Sequence, residues 1–157
     1  MCSVRIRVME SRDLNGVLVI AAALREAPQW SRAAYVAVIA GDGLKRIALV
    51  AENAAGVVGF SVASVVAAEA ELESIAVAES AQRCGIGVEL LRTTMREAKS
   101  LGVDNMVLEV RASNIGAAAL YAKAGFEVIG RRPEYYSNPV EDAILLGLRL
   151  DSASRGF

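Results

Sequence analysis

The chain has 157 residues, of which 54% are hydrophobic, and a formal net charge of −1 at pH 7. This length predicts a single domain over residues 1–157 with a substantial core. The near-neutral charge argues against nucleic acid as a main partner. The chain contains no histidine, which excludes Ser-His-Asp and Cys-His mechanisms and every zinc site that needs histidine. We therefore predict no metal.

The two cysteines, Cys2 and Cys84, allow at most one disulfide and cannot form a four-cysteine zinc site. A short secreted scaffold usually carries more disulfides, so we predict a reducing, cytoplasmic setting. Arginines before the apolar run Gly16–Leu24 resemble a signal peptide. However, Glu10 and Asp13 interrupt the basic segment, and the apolar run is too short to span a bilayer. We therefore predict a folded N-terminal segment and no membrane partner.

Hydrophobic periodicity predicts the elements of the first half of the chain. Pro28 ends the first helix, and Ser31 is a suitable N-cap for the second. The turn at 53–56 joins two β-rich runs, which is a hairpin signal. In chain order these elements are a strand Val4–Met9, a helix Arg12–Glu26, a helix from Ser31 to about Ala40, and strands Arg46–Glu52 and Val57–Val66.

The second half of the chain alternates strands with helices. Asn114 is a suitable N-cap, and Gly102 and Gly125 are suitable helix ends. The predicted elements are strand Glu71–Val77, helix Gly85–Leu101, strand Val103–Val110, helix Asn114–Ala124, and strands Phe126–Arg131 and Ala143–Leu150 around a Pro133–Pro139 loop. The order βααβββαβαββ predicts an α/β fold, a mixed sheet with helices packed on its faces.

A glycine loop connects the strand ending at Val77 to the following amphipathic helix. Gly85 and Gly87 let the backbone come close to a ligand, and the first N–H groups of a helix have no partner within it. Such a loop can bind a phosphate group. It is neither the dinucleotide fingerprint, which needs a third glycine, nor a P-loop, which needs Gly-Lys-Ser/Thr. A plain strand-to-helix turn is the alternative.

Several blocks of sequence occur in an order that resembles the GNAT superfamily of acetyl-CoA-dependent N-acetyltransferases. They are Glu71–Val77 with Gln82-x-x-Gly85-x-Gly87, Leu108–Asn114, Ala119–Phe126, and Glu141–Ile144. The more specific resemblance is to the RimI-type ribosomal-protein-alanine N-acetyltransferases, and it is strongest over residues 70–146. It implies the GNAT acyl-CoA N-acyltransferase fold. Val88 departs from the pattern, because a basic residue commonly follows the second loop glycine.

The resemblance implies acetyl-CoA as co-substrate and assigns residues to it. The backbone at Ile75, Ala76 and Val77 would contact the pantetheine arm, and Asn114 and Tyr121 would also contact the cofactor. Asn114 has the alternative of being a helix cap alone. The residues that would surround the phosphates are Gln82, Arg83, Cys84, Gly85, Ile86, Gly87 and Val88.

The same resemblance makes Glu109 the general base and Tyr121 the general acid. Glu109 lies in an apolar strand, where an ionisable group is costly to bury, although pairing with Arg111 is an alternative. A phenol can donate a proton to a departing thiolate, although a helical tyrosine often packs on a sheet instead. Glu71 and Glu73 share one face of their strand and are rival bases.

The favoured function is acetyl transfer to the N-terminal α-amine of a protein, such as the N-terminal alanine of a small-subunit ribosomal protein. Tyr135 and Tyr136 would help to bind the peptide, or are simply exposed at a hairpin. The same chemistry on a polyamine or an aminoglycoside is one alternative, and a strongly acidic cleft would favour it. A non-catalytic acyl-CoA sensor is another, against which Glu109 and Tyr121 argue.

Overall fold

The computed structural model of the protein describes residues 3–24 and 28–150. The predicted order βααβββαβαββ is confirmed. The strands are β1 Arg5–Val8, β2 Lys45–Asn53, β3 Gly56–Val66, β4 Glu69–Val77, β5 Asn105–Arg111, β6 Glu127–Tyr136 and β7 Glu141–Arg149. The helices are α1 Leu14–Ala23, α2 Arg32–Ala40, α3 Ile86–Ser100 and α4 Ile115–Ala124. Short 3-10 turns occupy Ser11–Asp13 and Glu79–Ala81.

All seven strands form one sheet in the order β1-β2-β3-β4-β5-β7-β6. Each neighbouring pair is antiparallel except β4 and β5, which are parallel. A parallel pair needs a crossover connection, and α3 provides it here. The predicted mixed sheet with helices on its faces is therefore confirmed.

Local signals set several element ends as predicted. Ser31 Oγ accepts a hydrogen bond from the Ala34 amide at 3.1 Å, which caps α2. Asn114 Oδ1 accepts one from the Ala117 amide at 3.2 Å, which caps α4. Each bond satisfies an amide that has no acceptor inside its own helix.

The predicted helix Arg12–Glu26 is wrong at both ends: α1 begins at Leu14, after the 3-10 turn, and stops at Ala23, because Leu24 is extended with φ −112° and ψ 114°. The predicted end at Glu26 itself lies outside the described residues.

The predicted loop over Pro133–Pro139 is wrong in its extent. Strand β6 continues through Pro133 to Tyr136, and β7 begins at Glu141. Since β6 is the last strand of the sheet order, one of its edges has no partner, and a proline there removes no ladder hydrogen bond. The pairing with β7 is irregular between Arg132 and Tyr136.

The core consists of two clusters, one on each face of the sheet. Helices α3 and α4 cover one face, where Leu90, Leu91 and Met95 are buried. Helices α1 and α2 cover the other, where Tyr35 packs edge-on against Phe60 with ring centroids 6.0 Å apart. The sheet is therefore the middle of three layers.

Strands β4 and β5 pair only at the beginning of their length. Their register runs from Glu69↔Asn105 to Glu71↔Val107 and ends there. The β3–β4 register changes from Ala63↔Leu72 to Val62↔Ser74, which leaves Glu73 as an extra residue in β4. Such a bulge bends its strand. The two strands consequently separate beyond Glu71 and open the middle of the sheet.

The packing of α3 against the sheet predicts that truncating Leu90 destabilises the fold. Leu90 is fully buried beneath β3, whereas Leu101, which follows the same helix, is 45% exposed. We expect Leu90→Ala to lower the free energy of unfolding by about 2–5 kcal/mol, because it leaves a cavity. Leu101→Ala should change it by less than about 0.5 kcal/mol. Urea denaturation measures both, and equal effects would contradict the placement of α3.

Candidate active site

A cleft of about 960 Å³ lies where β4 and β5 separate. Its walls come from β4, β5, the start of α3, α4 and β6, and from the segment between α1 and α2. The predicted site residues that line it are Ile75, Ala76, Val77, Gln82, Arg83, Gly85, Ile86, Gly87, Val88, Glu109, Asn114 and Tyr121. The structure thus brings these residues together around one opening of a size that suits a ligand.

The start of α3 presents unpaired amides to the cleft. Gly85 is the N-cap, with φ +76°, a backbone conformation that favours glycine. The amide of Glu89 donates to Gly85 O at 3.1 Å. Within residues 3–24 and 28–150, no backbone partner is found for the amides of Ile86, Gly87 and Val88. Such free N–H groups at a helix start bind anions.

The open edge of β4 supplies a second set of backbone groups. The Ala78 amide donates to Val58 O at 2.7 Å, and backbone groups in a strand alternate in direction. The backbone N–H and C=O of Ala76 therefore point to β3, whereas those of Ile75 and Val77 point to the cleft. Gln82 Nε2 donates to Val77 O at 3.0 Å, which agrees with this direction.

Glu109 stands in the wall formed by β5, with its side chain 20% exposed. Arg132 Nε lies 3.5 Å from Glu109 Oε2, and this buried oxygen has no hydrogen-bond partner among the described residues. The alternative pairing with Arg111 does not occur, because Arg111 Nη1 lies 3.2 Å from Glu141 Oε1. Glu109 is therefore placed to accept a proton from a group in the cleft.

The rival carboxylates also line the cleft but differ in their partners. Arg46 Nε lies 2.8 Å from Glu73 Oε1, so that carboxylate is already paired. In the described part of the chain Glu71 forms no salt bridge. Burial, followed by the charges of Glu73 and Glu109, raises the pKa of Glu71, while Arg132 opposes the shift. Glu71 thus stays open as an alternative base.

Tyr121 is 5% exposed and packs edge-on against Phe126, with ring centroids 5.7 Å apart. Burial, with a smaller effect of Tyr136, raises the pKa of Tyr121 above its ordinary value. The phenol therefore remains protonated at neutral pH and can act as a proton donor.

Sequence reasoning gave Tyr136 only a peptide-binding role, yet it contacts the centre of the site. Burial and the charge of Glu109 raise the pKa of Tyr136, and the Arg111 guanidinium lies 4.3 Å from its ring centroid. Tyr135 packs edge-on against it. The sequence prediction ended this strand at Arg131. Strand β6 in fact continues past Pro133 to Tyr136 and so places both rings in the cleft.

Two further features of the cleft were missed or differ from expectation. Leu24, Pro28 and Gln29 line it from the segment between α1 and α2. Cys84, predicted to contact the cofactor phosphates, is not among the lining residues. Cys2 lies outside the described residues.

The fold thus gathers free backbone amides, a carboxylate and a phenol around one cleft. The model of the acetyltransferase (GNAT) family matches residues 17–126. The chain belongs to this family, which confirms the resemblance found in the sequence. Acetyl-CoA is the acetyl donor of this family.

Individual relatives agree with the family. A [ribosomal protein bS18]-alanine N-acetyltransferase of Escherichia coli K12 is 43% identical over 91 residues, which cover 57% of this chain and 62% of that relative. The crystal structure of an Escherichia coli ribosomal-protein-S18-alanine N-acetyltransferase has a TM-score of 0.84 and 31% identity, with 99% of each chain covered. The Arabidopsis thaliana NAA60 complex with acetyl-CoA is 18% identical, with a TM-score of 0.84 over 94% of this chain and 98% of that one.

The residues present suit the acetyl-CoA co-substrate. The free amides at Ile86–Val88 and the side chain of Arg83 match the charge of a pyrophosphate. The open edge at Ile75 and Val77 offers donors and acceptors to an extended amide chain. No group of three or more metal-ligating side chains occurs in residues 3–24 and 28–150. In the same residues, no helix is long and apolar enough to cross a membrane.

A substitution at Gly87 tests this donor site. A Cβ added at Gly87 would meet Leu120 Cδ2 at 3.8 Å and Val77 Cγ2 at 3.9 Å, which are ordinary contacts. We expect Gly87→Leu to fold normally but to fill the space beside the free amides. The dissociation constant for acetyl-CoA should rise at least about tenfold in calorimetric titration, because a charge-assisted hydrogen bond is lost.

Gly130→Leu is the matched control, because a Cβ at Gly130 lies 3.7 Å from Leu145 Cδ2 and the residue is not part of the cleft. It should leave acetyl-CoA binding unchanged. Unchanged binding in Gly87→Leu would show that the donor phosphates lie elsewhere.

Proposed function

We propose that this chain transfers acetyl from acetyl-CoA to the N-terminal α-amine of a protein, and that its acceptor is an alanine-starting ribosomal protein. We also propose that residues 1–157 act as a single domain, and we retain the cytoplasm as the predicted compartment. The whole-length similarity to the Escherichia coli enzyme, at 31% identity, supports this acceptor. The observation that carries the proposal is the placement of Glu109 and Tyr121 in one cleft beside the free amides of α3.

The proposed roles follow from the state of each side chain. A protein α-amine has a pKa of about 7.7–8.0, so a carboxylate can remove its proton directly or through water. Glu109 Oε2 is buried and free to accept it, while Arg132 stabilises the carboxylate. Tyr121, whose pKa burial raises further above neutral pH, donates a proton to the departing sulfur.

Acetyl-CoA supplies an activated acetyl group whose thiolate can leave. The amides of Ile86–Val88 would bind its phosphates, and the open edge of β4 would align its arm. Tyr135 and Tyr136 would contact the peptide from β6. Both substrates would be bound before direct attack, without a covalent enzyme intermediate.

A small polyamine or aminoglycoside is the second candidate acceptor, because three carboxylates line the cleft: Glu71, Glu73 and Glu109. However, Arg46 pairs with Glu73 and Arg132 lies beside Glu109. The net negative charge available to a polycation is therefore small. A non-catalytic acyl-CoA sensor would not need an oriented acid and base.

The acceptor can be tested by measuring CoA release from acetyl-CoA with three additions: an Ala-starting ribosomal peptide, the same peptide with a blocked N-terminus, and spermidine. We expect release with the free peptide alone. Release with spermidine but not with the peptide would overturn the acceptor, and tight acetyl-CoA binding without release would favour the sensor.

Substituting the two proposed catalytic residues should separate chemistry from binding. We expect Glu109→Gln and Tyr121→Phe each to reduce kcat by about 10²-fold, the usual contribution of a general acid or base. Both changes keep the shape of the side chain, so the dissociation constant for acetyl-CoA should not change. Steady-state kinetics and calorimetry measure the two quantities.

Glu71→Gln is the matched comparison, since Glu71 is a carboxylate in the same cleft. It should lower kcat far less than Glu109→Gln does. A larger loss in Glu71→Gln than in Glu109→Gln would transfer the role of base to Glu71.

A further inference from the structure

The hydroxyl of Ser74 has no role in the fold or in the proposed proton transfers. Ser74 is 4% exposed and lines the cleft, yet its Oγ has no hydrogen-bond partner among the described residues. Buried hydroxyls in native proteins nearly always have one. Ser61, on the neighbouring strand, is buried and its Oγ lies 2.9 Å from Thr94 Oγ1. The missing partner of Ser74 Oγ indicates that a molecule bound in the cleft supplies this hydrogen bond.

The strand register places Ser74 opposite Glu109. The parallel pairing of β4 and β5 ends at Glu71↔Val107, and Glu109 follows Val107 by two residues. Ser74 follows Glu71 by three residues, but the bulge at Glu73 takes up one of them. The two side chains therefore stand at the same height on walls that have separated.

Both side chains also point to the same face of the sheet. Ala76 belongs to the core cluster under α1 and α2, and Ser74 shares its face because it lies two residues away. Leu108 and Val110 belong to the cluster under α3, so Glu109 between them points to the α1–α2 side. An unpaired hydroxyl and an unpaired carboxylate oxygen thus face each other across the cleft.

We propose that Ser74 Oγ accepts a hydrogen bond from the acceptor amine and so orients it, which makes Ser74 a further catalytic residue. This inference rests on the proposed function. A neutral primary amine has two N–H groups and one lone pair. Once Glu109 has taken the ammonium proton, one N–H of the neutral amine is directed to the Glu109 carboxyl group and the other to Ser74 Oγ. The lone pair is then left pointing along the cleft toward the acetyl group.

Ser74→Ala tests the proposal, because it removes the hydroxyl and little else. We expect kcat/KM for the Ala-starting peptide to fall about three- to tenfold, the value of one hydrogen bond. The dissociation constant for acetyl-CoA should not change. The melting temperature should stay equal or rise, since the substitution removes an unsatisfied buried group.

Ser61→Ala is the control for a purely structural hydroxyl. It should lower the melting temperature, because Thr94 loses its partner, and leave kcat/KM of the folded enzyme within about twofold. The reverse pattern, with Ser74→Ala lowering the melting temperature and leaving kcat/KM unchanged, would overturn the proposal.

A peptide that begins with N-methylalanine separates the proposed role of Ser74 from a purely structural one. The quantity measured is the ratio of kcat/KM for the alanine peptide to kcat/KM for the N-methylalanine peptide. Its neutral amine has a single N–H, which goes to Glu109, so nothing is left to donate to Ser74. The wild-type preference for the primary amine should therefore shrink in Ser74→Ala. An unchanged preference would overturn the proposal.

The outcome is separable from that of the proposed function. If the wild type acetylates spermidine and not the peptide, the protein acceptor is wrong, and the same ratio of wild type to Ser74→Ala on spermidine still decides the role of Ser74. If the wild type acetylates no amine, both proposals fail.

Discussion

The early end of the pairing between β4 and β5 is the constraint on which the site depends. A parallel pair that continued along both strands would satisfy the backbone groups of β4 at Ile75 and Val77. Because the register stops at Glu71↔Val107, these groups remain exposed to a cleft, while β3 holds the other edge of β4 in place. One interruption in a ladder thus supplies both the opening and the donors that line it.

The carboxylates in and beside the cleft differ in whether an arginine already occupies them or leaves them able to accept a proton. Arg46 holds Glu73 at 2.8 Å, and Arg111 holds Glu141 at 3.2 Å. Arg132 approaches Glu109 more loosely, at 3.5 Å, and leaves Oε2 without a hydrogen bond. A carboxylate that is stabilised by a nearby cation but not saturated can still accept a proton.

The sequence predicted what depends on neighbouring residues and missed what depends on distant ones. Caps such as Ser31 and Asn114 act within one helical turn, so the element order could be derived locally. In the structure Arg131 pairs with Asp142 and Arg132 lies beside Glu109. Arg111 pairs with Glu141. This choice of partners depends on the register of β5, β7 and β6, which no local sequence pattern specifies.

The same reasoning explains why Tyr136 and Ser74 were not foreseen as members of the centre of the site. Pro133 reads as a loop signal, but an edge strand tolerates it, and β6 therefore reaches the cleft. Ser74 reads as one small residue in an apolar strand. Its importance emerges only when the bulge at Glu73 and the register at Glu71 are known together.

The cleft concentrates polar groups that the folded chain leaves unsatisfied, and this has a thermodynamic consequence. Unpaired amides at the start of α3, the hydroxyl of Ser74 and one oxygen of Glu109 each reduce the stability of the empty fold. The two core layers built on Leu90 and Tyr35 offset that cost. A ligand that pairs with these groups recovers the lost hydrogen bonds, so binding energy and site geometry have the same source. The unsatisfied groups that line the cleft are accordingly those that the proposed donor and acceptor would contact.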